Sequence, residues 1–229
     1  MVNAVVFDFD YTLADSSAGI LKCIQYALQH MGLPPAPERL MRESIGLSLA
    51  KTLTFLTGSE DAAAGAEFTR LFVDHADLIM ADHTVLYETA PQVISALRAA
   101  GLPLGIVSTK YRYRIEGILQ REALLQHFDI IVGGEDVTDH KPHPSSLQQA
   151  LRHLGCPPEQ AVYIGDHSVD AEAARRAGIP FVAVLTGTSG RHLFDTAPCL
   201  GILDDLLGLP PLLGTAWALQ ALSGALASD

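Results

Sequence analysis

The chain has few cysteines and few basic residues, on which disulfide-rich and nucleic-acid-binding proteins respectively depend. Three of its 229 residues are cysteines, and the wide spacing of Cys23, Cys156 and Cys199 suits neither a disulfide framework nor a thiolate metal site. Lysine and arginine number 15 against 26 aspartates and glutamates, which leaves a net charge of −11. An acidic surface repels nucleic acids and anionic membranes, so neither is an expected partner.

Long apolar runs and a basic N-terminal leader are also missing. We therefore expect no transmembrane segment and no signal peptide, and the free cysteines favour a reducing, cytoplasmic location. The tail Trp217–Ala227 is apolar, but it is short and polar residues interrupt it. We interpret it as a terminal helix that packs on the body or on a partner subunit, which allows a monomer or a homodimer.

Short apolar runs alternate with helical patterns along most of the chain. Helical spacing begins near Pro91, Pro144 and Ser168 and ends at Gly101, Gly155 and Gly178. Strand-like runs occupy Ala4–Phe7, Leu102–Val107, Ile130–Val132, Ala161–Ile164 and Phe181–Leu185. This alternation predicts an α/β fold with a Rossmann-like parallel sheet.

The segment from residue 14 to residue 88 departs from this alternation. Its apolar residues recur at helical spacing and no strand-like run is evident. Since a crossover between parallel strands needs only one helix, about 75 residues of helical pattern indicate an inserted domain. We predict a core of residues 1–13 and 89–229 and an all-helical insert of residues 14–88.

Polar side chains stand where the predicted strands end. Asp8 and Asp10 follow the first strand on the same side of it, and the carboxyl ends of parallel strands form one crevice. Other groups expected in that crevice are Ser108, Thr109, Lys141, Asp166 and Asp170. Clustered carboxylates repel each other, and hard oxygen ligands suit Mg²⁺, so a cation would offset the repulsion.

Each of these residues also has an ordinary interpretation. Ser108 could cap a helix, Lys141 could be a surface lysine, and Asp166 and Asp170 could cap the helix that follows them. His140, His143 and His167 suggest a zinc cluster, but their spacing matches no zinc pattern. The occurrence of all the other groups at successive strand ends favours a common site.

Four short motifs together resemble those of the haloacid dehalogenase superfamily. They are Asp8-Phe9-Asp10-Tyr11-Thr12, the strand end at Ser108, Lys141-Pro142, and Gly165-Asp166 through Asp170. The helical insert after the first motif is similar to the small helical cap of that superfamily. The resemblance is greatest to its phosphoglycolate phosphatase-like branch and extends from Val2 to about Asp205.

The resemblance implies a role for each matching residue. Asp8 would be the nucleophile and a Mg²⁺ ligand, and Asp10 the general acid and base that also gives a backbone carbonyl to Mg²⁺. Ser108 and Lys141 would hold the phosphoryl group, while Asp166 and Asp170 complete the metal site. Among the substrate-binding residues, Thr12 would fix the loop, Thr109 would lie near the phosphoryl group, and Arg42 is the cap cation that we rank first.

Two positions depart from the family pattern. Tyr11 stands where the family usually has glycine, and Glu88-Thr89-Ala90-Pro91 replaces the usual Pro-Gly turn at the second cap hinge. The expected function is a Mg²⁺-dependent phosphatase acting on a small phosphorylated metabolite that resembles phosphoglycolate. Alternatives are a pyrophosphatase, a sugar phosphomutase or a non-enzymatic binding module; the order of the motifs argues against a signalling receiver domain.

Overall fold

The apolar runs of the sequence form strands, and the periodic segments form helices. The computed structural model describes residues 2–194 and 199–214. Within these residues the strands are β1 (Ala4–Phe7), β2 (Ala14–Asp15), β3 (Val85–Leu86), β4 (Leu104–Val107), β5 (Ile130–Val132), β6 (Ala161–Gly165), β7 (Phe181–Val184) and β8 (Cys199–Leu203). The helices are α1 (Ser17–His30), α2 (Glu38–Glu43), α3 (Leu49–Thr57), α4 (Ala62–Ile79), α5 (Thr89–Ala99), α6 (Arg112–Arg121), α7 (Ser145–Leu154), α8 (Ser168–Ala177) and α9 (Leu209–Leu212).

Six strands form one parallel sheet in the order β5-β4-β1-β6-β7-β8. The predicted α/β class is confirmed. Alternate residues of β1 enter different cores: Val5 and Phe7 pack with α5 and α6, whereas Ala4 and Val6 pack with α7 and α8. Since both faces are covered by helices, the central strands are apolar throughout, as a buried parallel sheet requires.

Two core elements differ in detail from the expectation. Helix α5 begins at Thr89 and not at Pro91, which is tolerated because a proline in the first helical turn lacks only an N–H that has no intrahelical partner. Strand β8 at the sheet edge was not predicted. Its residues are half-buried or exposed and Gly201 interrupts them, so the apolar signal of a central strand is weak there.

The insert contains helices α1 to α4, which share a hydrophobic core of their own that includes Ile24, Phe68 and Phe72. The expectation of a wholly helical insert is wrong at its two ends. Ala14–Asp15 and Val85–Leu86 pair as a two-stranded antiparallel sheet. Two residues per strand are too few for a periodic pattern in the sequence, which is why this pairing was missed. The division into residues 1–13 with 89–229 and 14–88 stays a prediction.

Helix α6 of the core is bonded to the insert, which we call the cap. The Arg114 guanidinium donates to Asp77 at 2.6 and 2.9 Å and to the Val73 carbonyl at 2.9 Å. The Tyr113 hydroxyl donates to the same Asp77 carboxylate at 2.6 Å. Nearer the sheet, the Thr109 hydroxyl donates to the Gly46 carbonyl at 3.3 Å. These bonds hold the cap against the carboxyl edge of the sheet.

Within the described residues, no helix combines the length and the apolarity needed to cross a membrane. The predicted terminal helix at Trp217–Ala227 lies outside the described residues.

Replacing Arg114 with Met should loosen the cap, because the substitution keeps the apolar stem but removes three hydrogen bonds to helix α4. We expect faster amide hydrogen exchange around Gly46 and Thr109, measured by mass spectrometry. Arg112→Met is the matched control, since Arg112 lies on the same helix but pairs with Asp136 and Glu116 of the core. Equal exchange in the two variants would show that Arg114 does not hold the cap.

Candidate active site

The site begins where β1 ends. The Asp8 amide donates to the Ile164 carbonyl at 2.8 Å, which continues the parallel ladder with β6 by one residue. Strand alternation then directs the Asp8 side chain to the same face as Val6, the face covered by α7 and α8. That face also carries the loop before α7 and the first turn of α8, so Asp8 is directed towards Lys141 and Asp170.

A buried lysine joins two carboxylates. The Lys141 ammonium lies 3.1 Å from Asp8 Oδ1 and 2.6 Å from Asp170 Oδ1, and all three side chains are at most 2% exposed. The Tyr163 hydroxyl lies 3.0 Å from Asp170 Oδ1 and 3.1 Å from the ammonium. The contact with Asp8 lacks hydrogen-bond alignment, so Asp8 Oδ1 is a buried oxygen without a hydrogen-bond donor.

Three carboxylates meet at this point. Oxygens of Asp8, Asp166 and Asp170 lie within 4.8 Å of one another, and all three residues are buried. The Thr12 hydroxyl lies 3.5 Å from Asp166 Oδ1. Asp170 is the most fully bonded of the three, because its second oxygen accepts the His167 amide at 3.1 Å at the start of α8. The helix-capping interpretation of Asp170 therefore holds together with its place in the cluster.

The pKa values of this cluster reflect burial and mutual charge. Removal from water raises the pKa of the Asp8 carboxyl to about 7, with Lys141 opposing the rise and Asp170 adding to it. Burial, then Asp170 and Asp8, raise the pKa of Asp166 well above its usual range. Burial would lower the pKa of the Lys141 ammonium, but Asp170 and Asp8 outweigh it and raise that pKa. The site has more negative charge than Lys141 alone can balance.

Asp10 belongs to a separate pair. Its two carboxylate oxygens lie 2.9 and 3.2 Å from the Lys110 ammonium, and the two side chains are 9% and 4% exposed. The Asp10 side chain is not one of the three clustered carboxylates. The two aspartates of the first motif thus have different surroundings: Asp8 faces the acidic cluster, and Asp10 faces a lysine under the cap.

Ser108 and Thr109, two further residues predicted for the site, directly follow strand β4. Ser108 is buried at the end of β4, next to β1 in the sheet, and its hydroxyl accepts the Lys110 amide at 3.3 Å. It does not cap α6, where Tyr111 holds the cap position. Thr109 faces the cap through Gly46.

Arg42 lies on the cap surface, 41% exposed, and pairs with Glu38 at 2.9 Å. Its other contact is with the Tyr11 hydroxyl at 3.5 Å. Tyr11 has a positive φ of 59°, the conformation that explains why the family usually has glycine there. Its ring lies in the hydrophobic core of the cap, so the tyrosine ties the first motif to the cap.

Three residues of the site were given no role by the sequence analysis, although Lys110 stands at a strand end where reactive groups were expected. Lys110 follows Ser108 and Thr109 in the chain, but nothing in the sequence pairs it with Asp10, 100 positions away. In the sequence, Tyr163 looks like an ordinary strand residue. The feature that could have identified it is its register opposite Val6 in the β1–β6 pair, which puts its side chain on the same face of the sheet as Asp8. Gly187 lies in the loop after β7, where a Cβ atom would stand 1.8 Å from Asp166 Oδ2. Close approaches of this kind depend on loop geometry that the sequence does not show.

The fold and this geometry define a class of protein: an α/β enzyme core with buried carboxylates, a lysine at the strand ends and a helical cap above them. The chain belongs to the haloacid dehalogenase-like hydrolase family, whose model matches residues 5–184. The predicted family is thereby confirmed.

Known relatives place the chain within that family. It is 29% identical over 217 residues to a phosphoglycolate phosphatase of Yersinia pseudotuberculosis, covering 93% of this chain and 94% of the relative. A phosphoglycolate phosphatase of Salmonella typhimurium is 30% identical, with 93% of each chain covered. The chain is a phosphatase-type hydrolase of the phosphoglycolate phosphatase-like branch, as the sequence predicts.

Solved structures share the fold of this chain. A haloacid dehalogenase-like hydrolase structure from Bacteroides fragilis is 38% identical and superposes with a TM-score of 0.89 over 91% of this chain and all of the other. A crystal structure from Clostridium acetobutylicum, at 22% identity and a TM-score of 0.86 over 93% of this chain and 98% of the other, shares the fold.

The raised pKa of Asp8 predicts a pH-dependent effect of Asp8→Asn on stability. The folded chain binds the Asp8 proton more tightly than the unfolded chain, so the stabilisation from this group is present below about pH 4 and is lost as the pH rises to about 7. In metal-free buffer, Asp8→Asn should therefore gain stability over the wild type between pH 5 and pH 8, by on the order of 3 kcal/mol. Urea unfolding at several pH values measures this; a difference that does not vary with pH would contradict it.

Gly187→Ala should disturb Asp166, since the added Cβ would overlap its carboxylate oxygen. We expect weaker stabilisation by divalent cations, seen as a smaller rise in melting temperature on Mg²⁺ titration. Gly117→Ala is the control, because a Cβ there meets no atom within 4 Å. An unchanged Mg²⁺ titration in Gly187→Ala would show that the loop yields without moving Asp166.

Proposed function

We propose that this chain is a Mg²⁺-dependent phosphatase that hydrolyses a small phosphorylated metabolite through an aspartyl-phosphate on Asp8. One observation carries the proposal. A buried carboxylate with an unsatisfied oxygen stands 3.1 Å from a buried ammonium and beside two further carboxylates. This arrangement offers a nucleophile, a fixed positive charge and hard oxygen ligands in one place.

The residues present fit a magnesium ion. Asp8 and Asp166 offer buried carboxylate oxygens, and the excess negative charge of the cluster calls for a cation. We propose these two side chains and the Asp10 backbone carbonyl as ligands. Asp170 either coordinates the ion or orients the Lys141 ammonium, since its Oδ1 accepts from that ammonium while its Oδ2 is held by the His167 amide. When bound, Mg²⁺ would neutralise charge on the phosphoryl oxygens and on the carboxylates.

In the first step, an Asp8 oxygen attacks phosphorus and the bond from phosphorus to the leaving oxygen breaks. Asp10 gives a proton to that oxygen, so the product leaves as an alcohol. Lys141 and Ser108 hold the other phosphoryl oxygens. In the second step, Asp10 takes a proton from water as the water attacks phosphorus, which releases phosphate and restores Asp8. Asp10 lies outside the carboxylate cluster and lines the cavity under the cap.

The remaining predicted residues have supporting roles in this proposal. Thr12 of the first motif contacts Asp166, and Thr109 connects the phosphoryl site to the cap. Arg42 has the weakest support, because it is exposed and paired with Glu38; its contact with Tyr11 suggests a part in seating the cap. A closed cap would exclude bulk water from the reaction.

Phosphoglycolate is the leading candidate substrate. The names of the curated relatives support it. The same machinery would serve a pyrophosphatase or a sugar phosphomutase, and the experiment below distinguishes them. The cytoplasmic location and the monomeric or homodimeric state stay predictions.

Phosphate release should be measured over a panel of small phosphomonoesters and pyrophosphate, with Mg²⁺ and with a chelator. We expect Mg²⁺-dependent hydrolysis of phosphoglycolate. Asp8→Asn should lose activity by about 10³-fold or more, and Asp10→Asn by about 10²- to 10⁴-fold. The exposed cap variant Asp74→Asn is the control.

Full activity in the presence of chelator, or in Asp8→Asn, would overturn the mechanism. Preferred hydrolysis of pyrophosphate would favour the pyrophosphatase. A need for a bisphosphate activator would favour the mutase. A flat panel, with no phosphate trapped on Asp8, would favour a binding module.

A further inference from the structure

A tyrosine occupies the buried face of the sheet below the acidic cluster. Tyr163 lies on β6 opposite Val6 of β1 and is fully buried. Its ring packs beside Phe181, with the ring centroids 6.0 Å apart, in a core that is otherwise apolar. A phenylalanine would fill this site without burying a hydroxyl. Since a buried hydroxyl costs free energy unless it is hydrogen-bonded, the partners of this one indicate its role.

The Tyr163 hydroxyl lies among polar groups from other segments of the core. The Lys141 ammonium donates to it at 3.1 Å, and its two acceptors are Asp170 Oδ1 at 3.0 Å and the Val107 carbonyl at 3.2 Å. A hydroxyl has one proton to donate, and a carboxylate is a stronger acceptor than a carbonyl. The proton therefore goes to Asp170, and the phenol oxygen is left to accept from Lys141.

These bonds decide where the Lys141 ammonium points. Of its three N–H donors, one donates to Asp170 Oδ1 at 2.6 Å and one to Tyr163. Asp8 Oδ1 lies 3.1 Å from the same nitrogen, yet it accepts no hydrogen bond from any described residue. The two bonds to Asp170 and Tyr163 thus turn the ammonium so that its third N–H is not aligned on Asp8.

Removal of the Tyr163 hydroxyl would change this arrangement. Lys141 would have an N–H without its acceptor, next to an Asp8 oxygen that lacks a donor. Rotation of the ammonium about the bond from Cε to Nζ would join the two in a charge-assisted hydrogen bond. Such a bond would hold the oxygen with which Asp8 attacks, and it would take a donor of Lys141 away from the phosphoryl group.

We propose that the Tyr163 hydroxyl is a positioning group that keeps the Lys141 ammonium from bonding Asp8 and directs it at the phosphoryl group. This inference rests on the proposed phosphatase function, in which Asp8 attacks phosphorus. Tyr163 acts through Lys141 and not by contact with the substrate. The hydroxyl also lies against the Val107 carbonyl, so it links Lys141 to the strand end that carries Ser108.

The test is Tyr163→Phe, which keeps the ring and removes the hydroxyl. Heteronuclear NMR of the lysine ammonium groups, without Mg²⁺ or substrate, reports on Lys141 directly, because buried and hydrogen-bonded protons exchange slowly with water. We expect slowly exchanging signals from Lys141 and Lys110 in the wild type. In Tyr163→Phe the Lys141 signal should shift, whereas the signal of Lys110, which is buried but pairs with Asp10, should not.

The same variant should be slower in catalysis. We expect kcat for phosphomonoester hydrolysis to fall by about 10-fold, the equivalent of one hydrogen bond to a charged group. Tyr26→Phe is the matched control, since Tyr26 lies on α1 of the cap, where its ring stacks on His75. It should leave kcat and both ammonium signals unchanged.

The outcomes separate a positioning role from a structural one. An unchanged Lys141 signal in Tyr163→Phe, or a shifted signal with unchanged kcat, would overturn the proposal, as would the absence of a slowly exchanging Lys141 signal in the wild type. If Tyr163→Phe does not fold, the wild type decides: without a nuclear Overhauser effect between the Lys141 ammonium and the Tyr163 ring, the proposal is overturned. Failure of the wild type to hydrolyse any phosphomonoester would overturn the proposed function, while the ammonium signals would still show whether Tyr163 holds Lys141.

Discussion

The buried contact of Lys141 with Asp8 and Asp170 is the interaction on which the rest of the site depends. Isolated charges this far from water would be strongly unfavourable, and an ion pair is tolerated only where geometry and further hydrogen bonds compensate for lost hydration. Tyr163 and the His167 amide supply those bonds to Asp170. Asp8 has fewer hydrogen bonds: its Oδ1 accepts none from the described residues, and its pKa is raised. That residual imbalance is what suits the cluster to a cation and a phosphoryl group.

The sheet delivers these groups to one place because its strands are parallel. Strands β4, β1 and β6 are neighbours, so the residues after their carboxyl ends converge on one crevice. Strand alternation then decides the face on which Asp8 meets Lys141. Close packing requires glycine at two points, since a Cβ at Gly165 would stand 2.7 Å from the Asp170 carboxyl group and one at Gly187 would overlap Asp166.

The cap is bonded to the core through residues near the chemistry. Tyr11 belongs to the first motif and to the hydrophobic core of the cap, and the Thr186 hydroxyl donates to the Tyr11 carbonyl. Thr109 reaches Gly46, and Arg114 reaches Asp77. The first motif therefore contacts both the cap and the loop after β7. A change in cap position would shift the first motif, which carries Asp8, and the loop that packs on Asp166.

The sequence by itself determined the α/β class, the helical insert and the residues at four strand ends, because apolar periodicity and short motifs are local signals. It also pointed to Asp8, Lys141, Asp166 and Asp170 as one group, through the rule that parallel strands end at the same edge. Tertiary structure alone decided the rest. The edge strand β8 and the two-residue strands of the hinge have too little periodicity to be predicted. Some contacts join residues far apart in the chain and depend on how the loops and the cap pack in three dimensions. They are the ion pairs Asp10–Lys110 and Asp77–Arg114 and the close packing of Gly187 on Asp166.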